Sequence, residues 1–261
     1  MSKATPAKSH ETLVGDQFGA RASAYLTSAV HAQGADLDAL TAVVRARPDA
    51  RVLDLGCGGG HVTFHAAPHA RAVVAYDLSA EMLDVVARTA QERGLANVTT
   101  RQGVAEQLPF ADASFDVVLT RYSAHHWRDL DLGLREAARV LVPGGTFAAA
   151  DSIAAGVPLL DTFFQSIELL RDPSHVRSYS AAEWEAALAR AGLVVSASAR
   201  HRVRLVFTTW VERMCTPPVQ VEAIRALQRA VSENVTRYFA TEPDGSFEID
   251  VGVFRAARPA L

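Results

Sequence analysis

Cysteine, aromatic residues, net charge and long apolar runs are all scarce in this chain. The two cysteines, Cys57 and Cys215, have neither a CxxC partner nor metal-ligand spacing, which argues against a disulfide framework and a zinc ribbon and fits a reducing compartment. No apolar run approaches the roughly 20 residues that cross a bilayer. The polar stretch Met1–Glu11 lacks the apolar segment of an export signal, so a cytoplasmic location is expected. With 26 Lys and Arg against 29 Asp and Glu, the net charge of -3 offers no general attraction to nucleic acid or anionic membrane. What is present is 49% hydrophobic residues in 261, enough to bury the core of one domain with elaborations.

That domain is organised around Arg51 to Val62, an apolar strand running into the glycines Gly56, Gly58, Gly59 and Gly60 and out into a helix. Ahead of it, residues 1–12 read as disordered, and 13–47 as a helical N-terminal segment with Phe18, Ala22, Tyr25 and Leu26 at helical spacing. Strands are expected over Val52–Leu55, Ala72–Tyr76, Val98–Arg101, Phe115–Thr120 and Thr146–Ala150, the last after a Pro143-Gly144-Gly145 turn. Helices are expected between them, one capped by Ser79 and stopped at Gly94. Strands alternating with helices imply an α/β, doubly wound parallel sheet. The core is placed at 48–155. Residues 156–261 are read as cap helices and completion of the sheet: helices over Pro158–Leu170, Ala181–Ala191 and a long one over Val219–Tyr238, strands over Leu193–Leu205 and Ser246–Phe254.

The loop reads GxGxG, with His61 where a dinucleotide fingerprint needs its third glycine. Asp54 lies two residues before the first glycine, near where a pyrophosphate would rest, and the loop has no Lys or Arg to offset the repulsion. A buried carboxylate calls for compensation, and a ligand's ammonium provides it. S-adenosylmethionine, with a sulfonium, an ammonium and no phosphate, meets these demands. Asp77, at the end of the second strand, is placed to accept from the ribose hydroxyls, with a helix-capping role beside Ser79 as the alternative.

The segments Val52–Gly60, Tyr76–Leu83, Ala105–Phe110 with Ser114–Val118, and Arg139–Gly145, in that order and spacing, resemble the motif series of class I S-adenosylmethionine-dependent methyltransferases, in the ubiquinone/menaquinone-biosynthesis-like (methyltransferase type 11) branch. The resemblance covers about residues 50–151. It implies a Rossmann-like seven-stranded sheet of order 3-2-1-4-5-7-6 with the last strand antiparallel. It also implies contacts to the methionine moiety at Gly56 and Gly58 and to the ribose at Asp77; Cys57, between the two glycines, reads as a small loop filler and is counted with Asp54 among the cofactor positions. An adenine wall follows from Leu78 and Met82, and polar adenine contacts near Ala105 and Glu106. Tyr25 and Phe18 are expected to close over the cofactor as a lid, with His31 nearby, or else to pack on the sheet as an ordinary amphipathic helix. One departure stands out: many relatives have Asp where this chain has Val104.

On the acceptor side, Thr120-Arg121-Tyr122-Ser123-Ala124-His125-His126-Trp127 follows the fourth strand, at the rim of the crevice. Arg121 is counted with the cofactor contacts. His126, assisted by His125 or His175, is expected to deprotonate or orient a small-molecule methyl acceptor, with at most one of the adjacent pair facing the site. Packing or helix capping is the competing role for the pair. A narrower resemblance of Arg171–Val176 in the cap to relatives of this branch implies His175 and Arg177 as substrate contacts. Arg200, Arg202 and Arg204 read as a solvated face, and Trp127, Trp184 and Trp210 as packing residues. The expected activity is O-, N- or C-methylation by a monomer or homodimer without nucleic-acid or membrane partner. An NAD(P)-dependent oxidoreductase and a noncatalytic S-adenosylmethionine-binding protein are the alternatives. If Val104 marks a missing adenine acceptor, Val104→Asp raises affinity for S-adenosylhomocysteine in a titration; no gain removes that idea.

Overall fold

The computed structural model describes residues 8–19 and 34–260. Its elements in chain order are α1 (His10–Gly19), α2 (Ala35–Arg45), β1 (Arg51–Leu55), α3 (His61–Ala66), β2 (Ala72–Asp77), α4 (Ala80–Glu92), β3 (Val98–Gln102), β4 (Phe115–Arg121), α5 (Leu130–Val140) and β5 (Leu141–Ile153). Then come α6 (Pro158–Arg171), α7 (Ala181–Arg190), β6 (Val194–Leu205), α8 (Phe207–Arg213), α9 (Pro218–Ala230), α10 (Glu233–Tyr238) and β7 (Phe247–Ala257). The seven strands form one sheet of order β3-β2-β1-β4-β5-β7-β6. β7 runs antiparallel to β5 and to β6, while β1 to β5 pair in parallel. This is the expected α/β, Rossmann-like order.

Both faces of the central strands are covered, which is why β1 and β4 read as nearly continuous apolar runs. Leu53, Leu55, Val118, Phe147 and Phe254 face one layer, built by α5 and α7 with Trp127 and Trp184. Val52, Val73, Val117, Leu119 and Ala148 face the other, against α2 and α3. A third cluster joins α6 to α8, α9 and α10 through Phe164, Ile167, Phe207, Trp210, Ile224 and Ile249. It packs these helices over the ends of β6 and β7.

Several boundaries differ from expectation for local reasons. α1 starts at His10 rather than Leu13, so residues 10–12 are not irregular: Ser9 caps the helix, its hydroxyl accepting from Thr12 N at 3.2 Å. The long helix after Val219 is two helices, because Val231 turns extended and Ser232 restarts the chain. α8 escaped sequence reading since Thr208 and Thr209 mask the helical spacing of Phe207, Trp210 and Val211, all buried. Pro143-Gly144-Gly145 sits within β5 as an irregularity in its pairing with β4, not before it. The β6 arginines are paired, Arg202 with Glu248 at 3.0 Å and Arg204 with Glu242 at 2.5 Å, as befits a solvated face. Among the described residues no helix is long and apolar enough to cross a membrane.

Trp184 is 1% exposed and stacks on Phe254 with ring centroids 5.2 Å apart. Trp184→Ala is expected to cost about 3–5 kcal/mol, read as a lowered midpoint in chemical denaturation.

Candidate active site

The chain leaves β1 at Gly56, whose amide and that of Cys57 donate to the Tyr76 carbonyl at 2.8 and 3.0 Å. Gly56 has φ +72°, and a Cβ there would lie 1.8 Å from Ser123 Oγ. Only glycine fits that approach. Gly58 N donates to Asp77 Oδ2 at 2.8 Å and Ser79 N to Asp77 Oδ1 at 2.9 Å, while Ser79 Oγ caps α4 by accepting from Met82 N. Asp77 therefore ties the loop to the end of β2 and orders the cap of α4. Each of its carboxylate oxygens keeps a lone pair for a ligand. Burial outweighs these amide bonds and leaves its pKa raised.

Below the loop, Asp54 is 1% exposed. Its Oδ2 accepts from Thr63 Oγ1 at 2.6 Å, and its Oδ1 is buried without a hydrogen-bond partner. Burial pushes its pKa up to about 7 against the opposing bond from Thr63. A desolvated half-satisfied carboxylate suits a ligand cation and repels a phosphate. Burial also raises the Cys57 thiol, which stays protonated and unreactive. Arg121, at the end of β4, forms a buried pair with Asp36 of α2 at 2.5 Å.

These residues share one crevice at the carboxyl ends of the strands, enclosing about 1080 Å³ including its open mouth. Asp54, Gly56, Cys57, Gly58, Asp77 and Arg121 line it. Leu78, Met82, Ala105 and Glu106 border it as well, so ten of the eleven sequence-derived cofactor positions meet in one place. The eleventh, Tyr25, lies with His31 outside the described residues. Val104 also borders the crevice. Glu106 Oε1 accepts from Arg128 N at 2.8 Å and Asp129 N at 3.3 Å, so this oxygen holds the following loop in place.

α1 forms a wall of the crevice. His10 Nε2 lies 2.9 Å from the His126 carbonyl, Glu11 pairs with Arg128 at 2.7 Å, and the Phe18 ring meets His126 edge-on at 4.9 Å. Past Phe18, Tyr122 and His126 lies a second space, here the inner chamber, of about 680 Å³ including its own open mouth, and these three residues border both spaces. Val203, Leu205, Trp210, Met214 and Ile249 give the inner chamber apolar walls, and Glu168, Arg171 and Asp172 give it polar ones. Arg171 lies over the Trp210 ring and bonds Glu168 at 3.1 Å. Tyr122 adopts φ +49°, a left-handed position at the end of β4 where its amide still donates to Ala150.

The histidine pair occupies a 3-10 turn, Ala124–His126, and not a strand or α-helix. Both residues border the inner chamber, with ring centroids 4.2 Å apart, while of the pair His126 alone also borders the outer crevice. His125 Nδ1 lies 2.5 Å from Asp151 Oδ1; burial disfavours its charged form, but Asp151 outweighs that and its pKa is raised. His126 Nδ1 meets the Ser174 carbonyl at 3.1 Å, and burial followed by repulsion from His125 lowers its pKa to about 4.

His175 borders neither space. Its Nε2 lies 2.8 Å from Gln165 Oε1, its ring sits 5.8 Å from that of His125, and burial drives its pKa far down. It packs behind the turn rather than meeting a substrate, because the Asp172–Ser174 turn directs it into the protein. Arg177 is likewise taken up, by Asp161 at 2.9 Å and Glu183 at 3.1 Å. Three residues at the site carried no functional reading from sequence: His10, Ser123 and Asp151. Asp151 was discoverable, since it stands near the carboxyl end of the fifth strand; His10, in a polar N-terminus, carried no such signal.

Residues 53–149 match the methyltransferase domain family. The chain is 48% identical over 205 residues to the uncharacterized protein YafE of Escherichia coli K12, covering 78% of this chain and 99% of YafE. To the uncharacterized methyltransferase YcgJ of Bacillus subtilis it is 38% identical over 200 residues, 77% of this chain and 79% of YcgJ. The crystal structure of YcgJ superimposes with a TM-score of 0.83, covering 87% of this chain and 99% of that one, at 32% identity. The ubiquinone/menaquinone biosynthesis C-methyltransferase UbiE of Rubrivivax gelatinosus is 43% identical over 96 residues, 37% of each chain. With this fold, this glycine crevice and these relatives, the chain belongs to the class I S-adenosylmethionine-dependent methyltransferase family, in its ubiquinone/menaquinone-biosynthesis-like branch.

Proposed function

We propose that the chain binds S-adenosylmethionine in the outer crevice and methylates a small molecule seated in the inner chamber, on oxygen, nitrogen or carbon. The observation that carries this reading is Asp54 Oδ1, a buried carboxylate oxygen without a partner on the floor of a glycine crevice that has no Lys or Arg in its loop. The residues present fit the cofactor: Asp54 offers a site for its ammonium, Gly56 and Gly58 leave room for its chain, and Asp77 offers acceptors to its ribose. Leu78 and Met82 provide an apolar surface for its ring, whose edge falls to the backbone at Val104 and Ala105. Bound there, the cofactor would supply an electrophilic methyl group on a sulfonium, a leaving group that would keep the bonding pair.

The chain's own task is alignment and exclusion of water, and orientation alone is worth roughly 7–11 kcal/mol in such displacements. Phe18, Tyr122 and His126, common to crevice and chamber, are where methyl and acceptor would meet, and Phe18 brings α1 to this junction. Small-molecule methylation suits a cytoplasmic enzyme, monomeric or dimeric, without a polymer groove. An NAD(P)-dependent oxidoreductase is disfavoured by Asp54 and His61. Titration with S-adenosylhomocysteine and with NAD separates the readings, binding of the first alone being expected.

Because burial holds the Asp54 pKa near 7, the ligand-free fold prefers the protonated carboxyl, and this group's contribution to stability falls as pH rises from the ordinary carboxylate range through 7. A ligand ammonium prefers the ionised form, so binding expels a proton below pH 7. Affinity for S-adenosylhomocysteine is expected to fall by up to about tenfold per pH unit below that point. In calorimetry at pH 6 the binding heat should vary with buffer ionisation; Asp54→Asn should bind more weakly at pH 8 and show no such dependence. Gly56→Ala, forced to φ +72° and against Ser123, should lose at least about tenfold in the same titration, since left-handed strain alone costs about 1–3 kcal/mol. Gly56→Ala combined with Ser123→Gly should recover part of that loss.

A further inference from the structure

We infer that His125, held by Asp151, is the group that removes a proton from the methyl acceptor, and that the acceptor presents a weakly acidic hydroxyl to the inner chamber. This rests on the function proposed above and moves the proton-accepting role from His126 to its neighbour. The His125–Asp151 contact at 2.5 Å places the ring proton on Nδ1, because a carboxylate accepts and does not donate. Nε2 is then left with a lone pair, and no described residue hydrogen-bonds it. His125 borders the inner chamber and not the outer crevice, so the residue stands on the acceptor's side.

Asp151 is itself immobilised: Oδ2 accepts from Ala124 N at 3.0 Å and Oδ1 from Ser152 N at 2.8 Å. The carbonyl of His125 accepts from Val176 N at 2.8 Å and Arg177 N at 3.2 Å, which fixes the turn from the other side. A base clamped on both flanks meets the geometric demand of proton transfer. His126 lacks such a carboxylate on Nδ1, where it meets the Ser174 carbonyl, and Asp172 is 3.9 Å from its Nε2. Its position between Phe18 and His125 makes it the partition beside the transferring methyl.

Protonation bookkeeping narrows the acceptor. An amine attacks through a lone pair it already has, so a built base is needed most where an O–H bond must break. The hydroxyl's bonding pair stays on oxygen, the proton is carried by Nε2, and Asp151 balances the imidazolium. Imidazole matches a phenol or enol far better than an aliphatic alcohol, and Trp210, Tyr122 and Val203 offer walls for a conjugated ring. The charged and titratable groups around His125 are Asp151 on β5, His126 on its own turn, Glu168 and Arg171 on α6, and Asp172 and His175 after it. Tyr122 and Arg213 complete the chamber.

4-Nitrophenol tests this, since its phenolate alone absorbs visible light. The wild-type protein saturated with S-adenosylhomocysteine is expected to show the phenolate band at a pH below the phenol's own pKa, where free probe is colourless. His125→Gln should bind the probe, followed by equilibrium dialysis, without the band. Asp151→Asn should need a pH higher by at least about one unit for half-ionisation, as expected when an imidazolium loses its carboxylate; a merely structural role would leave that value unmoved. Unchanged thermal midpoints control for folding. A band that persists in His125→Gln, or that vanishes only in His126→Gln, overturns the assignment. Normal S-adenosylhomocysteine affinity with no probe binding overturns the acceptor class. Failure to bind S-adenosylhomocysteine at all overturns the underlying function.

Discussion

A carboxylate taken out of water has to be met by donors, and the architecture of this site follows from how three strand-end carboxylates meet that demand. Asp77 is answered by two loop amides, Asp151 by two amides and an imidazole, and Asp54 by one hydroxyl, leaving one oxygen over. The first two act as fasteners, and each Asp77 oxygen keeps a lone pair besides. Asp77 sets the path of the glycine loop, and Asp151 sets the histidine turn. The third is incomplete, and its deficit is the chemical specification of a ligand. A parallel sheet makes this arrangement natural, because all its carboxyl ends open on one crevice.

The remaining site residues are arranged by these fasteners. Ser123, on the turn that Asp151 orders, comes so close to Gly56 that loop and turn fit only as a pair. Trp127 donates to the same Ser123 hydroxyl at 3.0 Å, so the wall of the crevice is continuous with its floor. The buried Arg121–Asp36 pair joins the end of β4 to α2. Side chains from four strands, β1, β2, β4 and β5, and both flanking layers thus form one unit, and none of them is placed by its own segment alone.

The sheet was legible in the sequence because its cues are local: apolar strands, Ser79 as a cap, Gly94 as a stop, and motifs in a fixed order. That these positions converge on one crevice was legible for the same reason, since they follow strand ends in register with those motifs. Legibility failed where a position depends on distant partners. His175 carried the right chemistry, yet Asp172 and Ser174 turn it inward toward Gln165, which no spacing rule announces. The two adjacent histidines reach the same chamber because their turn is a 3-10 turn, a geometry that strand and α-helix periodicities do not describe. Asp151, 26 residues from His125, acquires its meaning only through parallel pairing of β4 and β5.

Tyr122 carries a consequence of a different kind. A bulky side chain in a left-handed backbone well costs on the order of 1–2 kcal/mol, and a glycine or asparagine there would relax the chain. Either would also take away a ring that borders both crevice and chamber. A stability-guided redesign at this position would therefore gain a firmer fold and lose one of the three side chains common to both spaces.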